Sequence, residues 1–134
     1  MNEAVREHVR QRAGLRCEYC QLAEEYSPVA RLQIEHIRPR KHGGDDSLEN
    51  LALACIDCNL RKGPNLSGID PNAGSVVELF NPRQQVWSDH FAWDGPQVLG
   101  VTAVGRATIA VLGLNSLDRV QLRLALAETP RKPR

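Results

Sequence analysis

Four cysteines carry the clearest chemical signal in the chain. They fall as Cys17-Glu-Tyr-Cys20 and Cys55-Ile-Asp-Cys58. Two thiolates of one tight turn reach a single ion, and two such turns complete a tetrahedral shell, so the spacing points to structural zinc. Disulfide pairing is the weaker alternative, because nothing marks the chain as secreted. A redox C-x-x-C explains one pair and not both. Zinc also meets a physical need. The chain has 134 residues and only 4% aromatics, so a core of Leu, Val, Ile and Ala gains from a staple.

Charge is the second local signal. Residues 31–42 hold Arg31, Arg38, Arg40 and Lys41, with His36 and His42, against a lone Glu35. Arg61-Lys62 forms a smaller basic pair. Either cluster alone reads as a solvated surface. The whole chain adds no argument for a polyanionic partner. Its formal charge is +1, and four thiolates with one Zn²⁺ bring it to −1.

These groups need elements to position them. Val5, Val9 and Ala13 recur at helical spacing and predict a helix over 2–13, stopped by Gly14. Residues 21–30 read mostly as loop. Residues 31–37 alternate as a strand, with Leu32, Ile34 and His36 on one face and Gln33, Glu35 and Ile37 on the other. Pro39 ends it, and Gly43-Gly44-Asp45-Asp46 is a turn. Leu51 to Ala54 gives a second strand. A helix runs from Ile56 or Asp57 to Lys62 and closes at Gly63-Pro64.

Beyond it, residues 63–75 read as a linker or wrapping loop. Residues 76–80, 86–93 and 97–101 read as strands, and 105–112 and 116–127 as helices, the last with Leu117, Val120 and Leu124 on one face. Trp87, Phe91 and Trp93 read as core of this part rather than a platform for stacking bases. The tail 130–134 is expected to be disordered. No internal repeat is visible. With no secretory leader and no apolar run near the ~20 residues of a membrane span, the expectation is a cytoplasmic protein without a membrane partner.

Read in order, the middle of the chain gives Ile34-Glu35-His36-Ile37, Gly43-Gly44, Asn50-Leu51, Cys55-x-x-Cys58-Asn59 and Lys62-Gly63. Over about residues 15–63 this series resembles the HNH endonucleases, the ββα-metal nucleases. The resemblance implies an α+β fold: a small ββα-metal core with structural zinc plus a C-terminal α+β extension. Residues 1–63 are then the nuclease core with its N-terminal helix and knuckles. Residues 64–129 are an extension packing on or beside the core, and 130–134 the tail. The extension is similar to segments appended to small free-standing HNH proteins; packing, dimerisation and partner binding stay open for it.

The resemblance also implies roles. Phosphodiester hydrolysis needs a nucleophile made from water and a cation to stabilise charge on the phosphate and the leaving oxygen. His36 matches the general base, and a neutral imidazole suits that task near neutral pH. Glu35 matches an acidic ligand of a catalytic Mg²⁺ or Mn²⁺, and Asn59 a second ligand where many relatives have His. Both offer hard oxygen donors. Asn50 matches the central Asn that holds the loop and orients the base. Cys17, Cys20, Cys55 and Cys58 match the structural zinc ligands. Glu35 in place of the commoner Asp, and Asn59 in place of His, depart from the usual pattern.

Each residue has a plainer reading alone: surface charge for Glu35 and His36, a turn residue for Asn50, a helix start for Asn59, a solvated loop for His42. Their order between two knuckles is what distinguishes them. Arg38, Arg40, Lys41, Arg61 and Lys62 are then candidates for nucleic-acid backbone contacts, which carry no base sequence. The implied function is a metal-dependent endonuclease nicking or cutting DNA. Its alternatives are an inactive zinc-stabilised nucleic-acid-binding module of the same fold and a zinc-stapled protein-interaction domain. Duplex DNA is the expected partner, with RNA left open. A homodimer is left open too, since one site cuts one strand.

Overall fold

The computed structural model describes residues 1–27 and 30–127. The sequence expectation of a disordered tail at 130–134 lies outside the described residues. Helix α1 spans Glu3–Arg12; Asn2 caps it by accepting a hydrogen bond from the Val5 amide at 2.9 Å. Its apolar stripe places Val9 fully in the core. The first cysteine pair follows. Strand β1 (Gln33–His36) then pairs antiparallel with β2 (Leu51–Ala54), His36 opposite Leu51 and Gln33 opposite Ala54. All four β2 residues are buried, as their unbroken apolar run requires.

Helix α2 (Ile56–Lys62) starts on the second cysteine pair, and the Cys55 sulfur accepts from the Cys58 amide at its N-terminus. Helix α2 packs on the β1 face that carries Gln33 and Glu35: Asn59 bonds Gln33, and Lys62 bonds Glu35. This is the ββα unit, in a molecule of helices and small antiparallel sheets.

The remaining chain wraps that unit. Strands β3 (Ser67–Ile69) and β4 (Val76–Glu78) form one hairpin, β5 (Phe91–Asp94) and β6 (Gln97–Gly100) another, with helix α3 (Trp87–His90) before β5. Helices α4 (Ala103–Leu112) and α5 (Leu117–Ala127) close the order. One apolar cluster runs from Val9 through Tyr19 and β2 to Phe80, Phe91, Leu112 and Leu114. The Trp87 indole donates to the Tyr19 carbonyl at 2.8 Å, and the Phe80 ring meets Tyr19 edge-on at 6.5 Å.

Four local expectations change. Residues 87–90 are a helical turn, not strand: Trp87 and Phe91 sit four residues apart and their rings stack at 5.1 Å. Strand β3 lies inside the expected linker, where Gly68 lets the backbone close on α4; a Cβ there would lie 2.5 Å from Val111 Cγ2. Trp93 is 48% exposed, with the Arg123 guanidinium 5.4 Å above its ring, so it is not core. Leu117 and Leu124 are exposed as well, because α5 turns Arg119 inward instead.

Candidate active site and metal centre

The four cysteines are free and buried. Their sulfurs all lie within 4.8 Å of one another, with Cys20 and Cys55 at 3.7 Å. Tetrahedral zinc with Zn–S bonds of ~2.3 Å separates its sulfurs by about 3.8 Å. The cage therefore fits zinc in donor type, number and spacing. Each pair is held by its own backbone, the Cys20 amide donating to Cys17 Sγ and the Cys58 amide to Cys55 Sγ, both at 3.4 Å.

The alternation of a regular strand sends Glu35 and His36 to opposite faces of β1. Glu35 is 5% exposed, under α2. Its Oε1 meets Lys62 Nζ at 2.6 Å, and the Tyr19 hydroxyl donates to Oε2 at 3.0 Å. Burial pushes the Glu35 carboxyl above its ordinary pKa, against the pull of the Lys62 ammonium. Burial, then the Glu35 charge, raises the Tyr19 phenol, so Tyr19 stays a donor. Lys62 also donates to the Ile37 carbonyl at 2.9 Å. It thus joins the helix, the carboxylate and the end of β1.

Asn59 lies one residue past a zinc ligand. Its Nδ2 donates to Gln33 Oε1 at 2.7 Å, so the atom it can offer a cation is Oδ1. A carboxylate oxygen and an amide oxygen are each the hard donor type that Mg²⁺ or Mn²⁺ takes. The two occupied positions on Glu35 leave acceptor capacity on a group with about four lone-pair sites.

His36 ends β1 on the other face. Its Nε2 lies 2.7 Å from Asp46 Oδ1, and Arg40 Nη2 reaches the same oxygen at 2.8 Å. Hydrogen bonding from His36, then the Arg40 charge, hold the Asp46 carboxyl below its usual range. Asp46 therefore stands ionised beside the imidazole.

Asn50 organises the loop between them. Its Oδ1 accepts from the Arg38 amide at 2.8 Å, and its Nδ2 donates to the carbonyls of Arg38 at 3.0 Å and Asp45 at 2.8 Å. Gly44 sits in the same knot. A Cβ there would lie 1.7 Å from the Arg38 carbonyl oxygen, so no side chain fits.

The sequence-predicted residues thus fall into three sets: Glu35 with Lys62 and Tyr19 and Asn59 with Gln33 on the α2 side of β1, and His36 with Asp46 and Arg40 on its other face. Arg38, Arg40 and Lys41 are exposed on the loop after His36, and Arg61 is exposed on α2. Lys62 is different. At 2% exposure its ammonium faces Glu35 and not solvent, so it is not available to a backbone phosphate as the sequence suggests. Tyr19, Asp46 and Gln33 escape the sequence reading. Only Asp46 had a signal, as an acid in the turn that faces the end of the strand.

Residues 17–65 match the family model described as HNH endonuclease. The match begins at the first zinc-type cysteine and contains every residue of the three sets. No curated protein and no solved structure matches the chain. The match points to a nuclease or nucleic-acid-binding function for this segment. Among the described residues, no helix is long and apolar enough to cross a membrane.

Proposed function

From the HNH endonuclease match over residues 17–65, we propose that the protein is a metal-dependent endonuclease hydrolysing phosphodiester bonds, with duplex DNA as its first substrate class. His36 is the general base. Its Nε2 hydrogen bond to Asp46 fixes the ring and leaves Nδ1 to take the proton from water. Glu35 and Asn59 are the residues that would hold a catalytic Mg²⁺ or Mn²⁺, which when bound would supply stabilisation of negative charge on the phosphate and leaving oxygen. Asn50 keeps the Arg38–Asp45 loop in the shape that presents the histidine. Arg38, Arg40, Lys41 and Arg61 position the nucleic-acid backbone by charge.

The observation that supports this reading most is the His36–Asp46 pair, a clamped imidazole at a strand end beside a loop of exposed cations. The Glu35–Lys62 pair favours the second reading, a nucleic-acid-binding module without catalysis, because an ammonium already neutralises the carboxylate. Four reduced zinc-type thiols suit the cytoplasm.

Supercoiled plasmid separates the two readings, using wild type and His36→Ala with Mg²⁺, Mn²⁺ or EDTA. Nicking that requires the ion and vanishes in the variant is the expected result. Retardation of the plasmid without nicking, by a folded and zinc-loaded wild type, would move the assignment to the binding module. The ratio of linear to nicked product reports whether two copies act together.

A further inference from the structure

We propose that Arg119, far outside the matched segment, is a fifth member of the zinc centre, and that through it helix α5 closes the centre from the C-terminal side. Zinc with four thiolates carries a net charge of −2. A buried charge of that size needs compensation from its surroundings. Knuckle amides supply part of it, and among the described residues none between the two cysteine pairs brings a cation to the sulfurs.

Arg119 does. It is 7% exposed, and its Nη2 lies 2.8 Å from Cys58 Sγ and 3.7 Å from Cys55 Sγ. Its Nη1 donates to the Leu112 carbonyl at 2.8 Å, an acceptor left over at the C-terminus of α4. One planar fork thus ties the metal thiolates to the end of α4 from a position on α5. Arginine keeps its guanidinium protonated in proteins, so the fork brings a full positive charge to the sulfurs. One turn on, Arg123 donates to the Pro96 carbonyl and lies over Trp93, so a second cation of α5 is held on the same side.

Hydrogen bonds to metal thiolates steady the ligands and slow their exchange, and loss of such partners typically weakens metal binding 10–100-fold. Lysine cannot reproduce the fork, and a neutral side chain removes the charge as well. The inference rests on the cysteines holding zinc and not on the nuclease reading, so plasmid cleavage does not decide it.

The test uses the full chain as wild type, Arg119→Met and Arg119→Gln, with zinc content measured first. Transfer of zinc to a colorimetric chelator gives the release rate. Cobalt-substituted protein gives the sulfur-to-metal charge-transfer band, which moves to longer wavelength when a donor to sulfur is removed. The expected result is release at least tenfold faster in both variants, with the band shifted and the tetrahedral ligand-field bands retained. Wild-type release rates and an unshifted band in whichever neutral variant folds would overturn the proposal, leaving Arg119 as a cap for α4 alone. Absence of zinc from the purified wild type would overturn it at its premise.

Discussion

Replacing Lys62 with Met removes a cation while keeping an apolar stem of similar length. The partner left behind is Glu35, whose side chain is 5% exposed and whose Oε1 had an ammonium at 2.6 Å. Removing one member of a buried ion pair costs roughly 3–5 kcal/mol, because the other charge stays buried without compensation. The Ile37 carbonyl loses its 2.9 Å donor at the same time. A chain of this size has roughly 7–20 kcal/mol of total stability. The substitution should therefore lower the midpoint of thermal unfolding by about 11–18 °C.

The pH dependence has a definite sign. Burial already holds the Glu35 carboxyl above its ordinary pKa, and losing Lys62 removes the main opposing pull. Above the unfolded-state pKa the unfolded chain ionises and the folded chain resists, so the variant loses stability as pH rises and is closest to wild type in acid. The double variant Lys62→Met with Glu35→Gln removes both charges and should recover most of the loss. Mn²⁺ should stabilise Lys62→Met more than wild type, since the ion takes over the neutralisation of Glu35. Thermal unfolding gives the midpoint, and chemical denaturation from pH 4 to pH 9, with and without Mn²⁺, gives the free energies. A cost of Lys62→Met below about 1 kcal/mol, flat with pH, would refute the reasoning, since it would mean that the pair is not a buried ion pair in solution.

Three further outcomes follow from the same geometry. Cys55→Ser should lose zinc and most of its cooperative unfolding, read by metal analysis and circular dichroism, because binding of a structural metal is coupled to folding. Asn50→Ala removes three hydrogen bonds that fold the Arg38–Asp45 loop; at about 1 kcal/mol each it should cost roughly 2–3 kcal/mol in denaturant unfolding and reduce plasmid nicking while zinc content stays unchanged. Arg40→Ala with Lys41→Ala should weaken duplex binding and lower the slope of log K against log salt by about 2, measured by fluorescence anisotropy across salt concentrations.

The ββα unit was legible because each of its signals is local. Alternation marks β1, an unbroken apolar run marks β2, and a Gly-Pro stop closes α2. The observed bounds, Gln33–His36, Leu51–Ala54 and Ile56–Lys62, lie within two residues of those read from sequence. The cysteine cage was legible from spacing alone. Past residue 63 the signals are tertiary. The strand at Ser67–Ile69 has little intrinsic preference for extended structure and forms against its hairpin partner and α4. The turn at Trp87–His90 is rich in aromatic and β-branched neighbours that mimic a strand, while its i, i+4 ring pair carries the helical signal.

Within the site, sequence order ranked the groups that resemble a known pattern and missed the groups that answer them. Lys62 reads as surface charge until β1 is seen beneath it. Arg119 is 61 residues from Cys58, and no local pattern connects them.

Tyr19 has a consequence beyond packing. It stands inside the first knuckle, between Cys17 and Cys20, and its hydroxyl grips the Glu35 carboxylate while its carbonyl receives the Trp87 indole. Metal cage, carboxylate and wrapping segment are therefore mechanically in series through a single residue. A reagent that alkylates the thiols or strips the zinc would disarm the far side of the site without ever entering it.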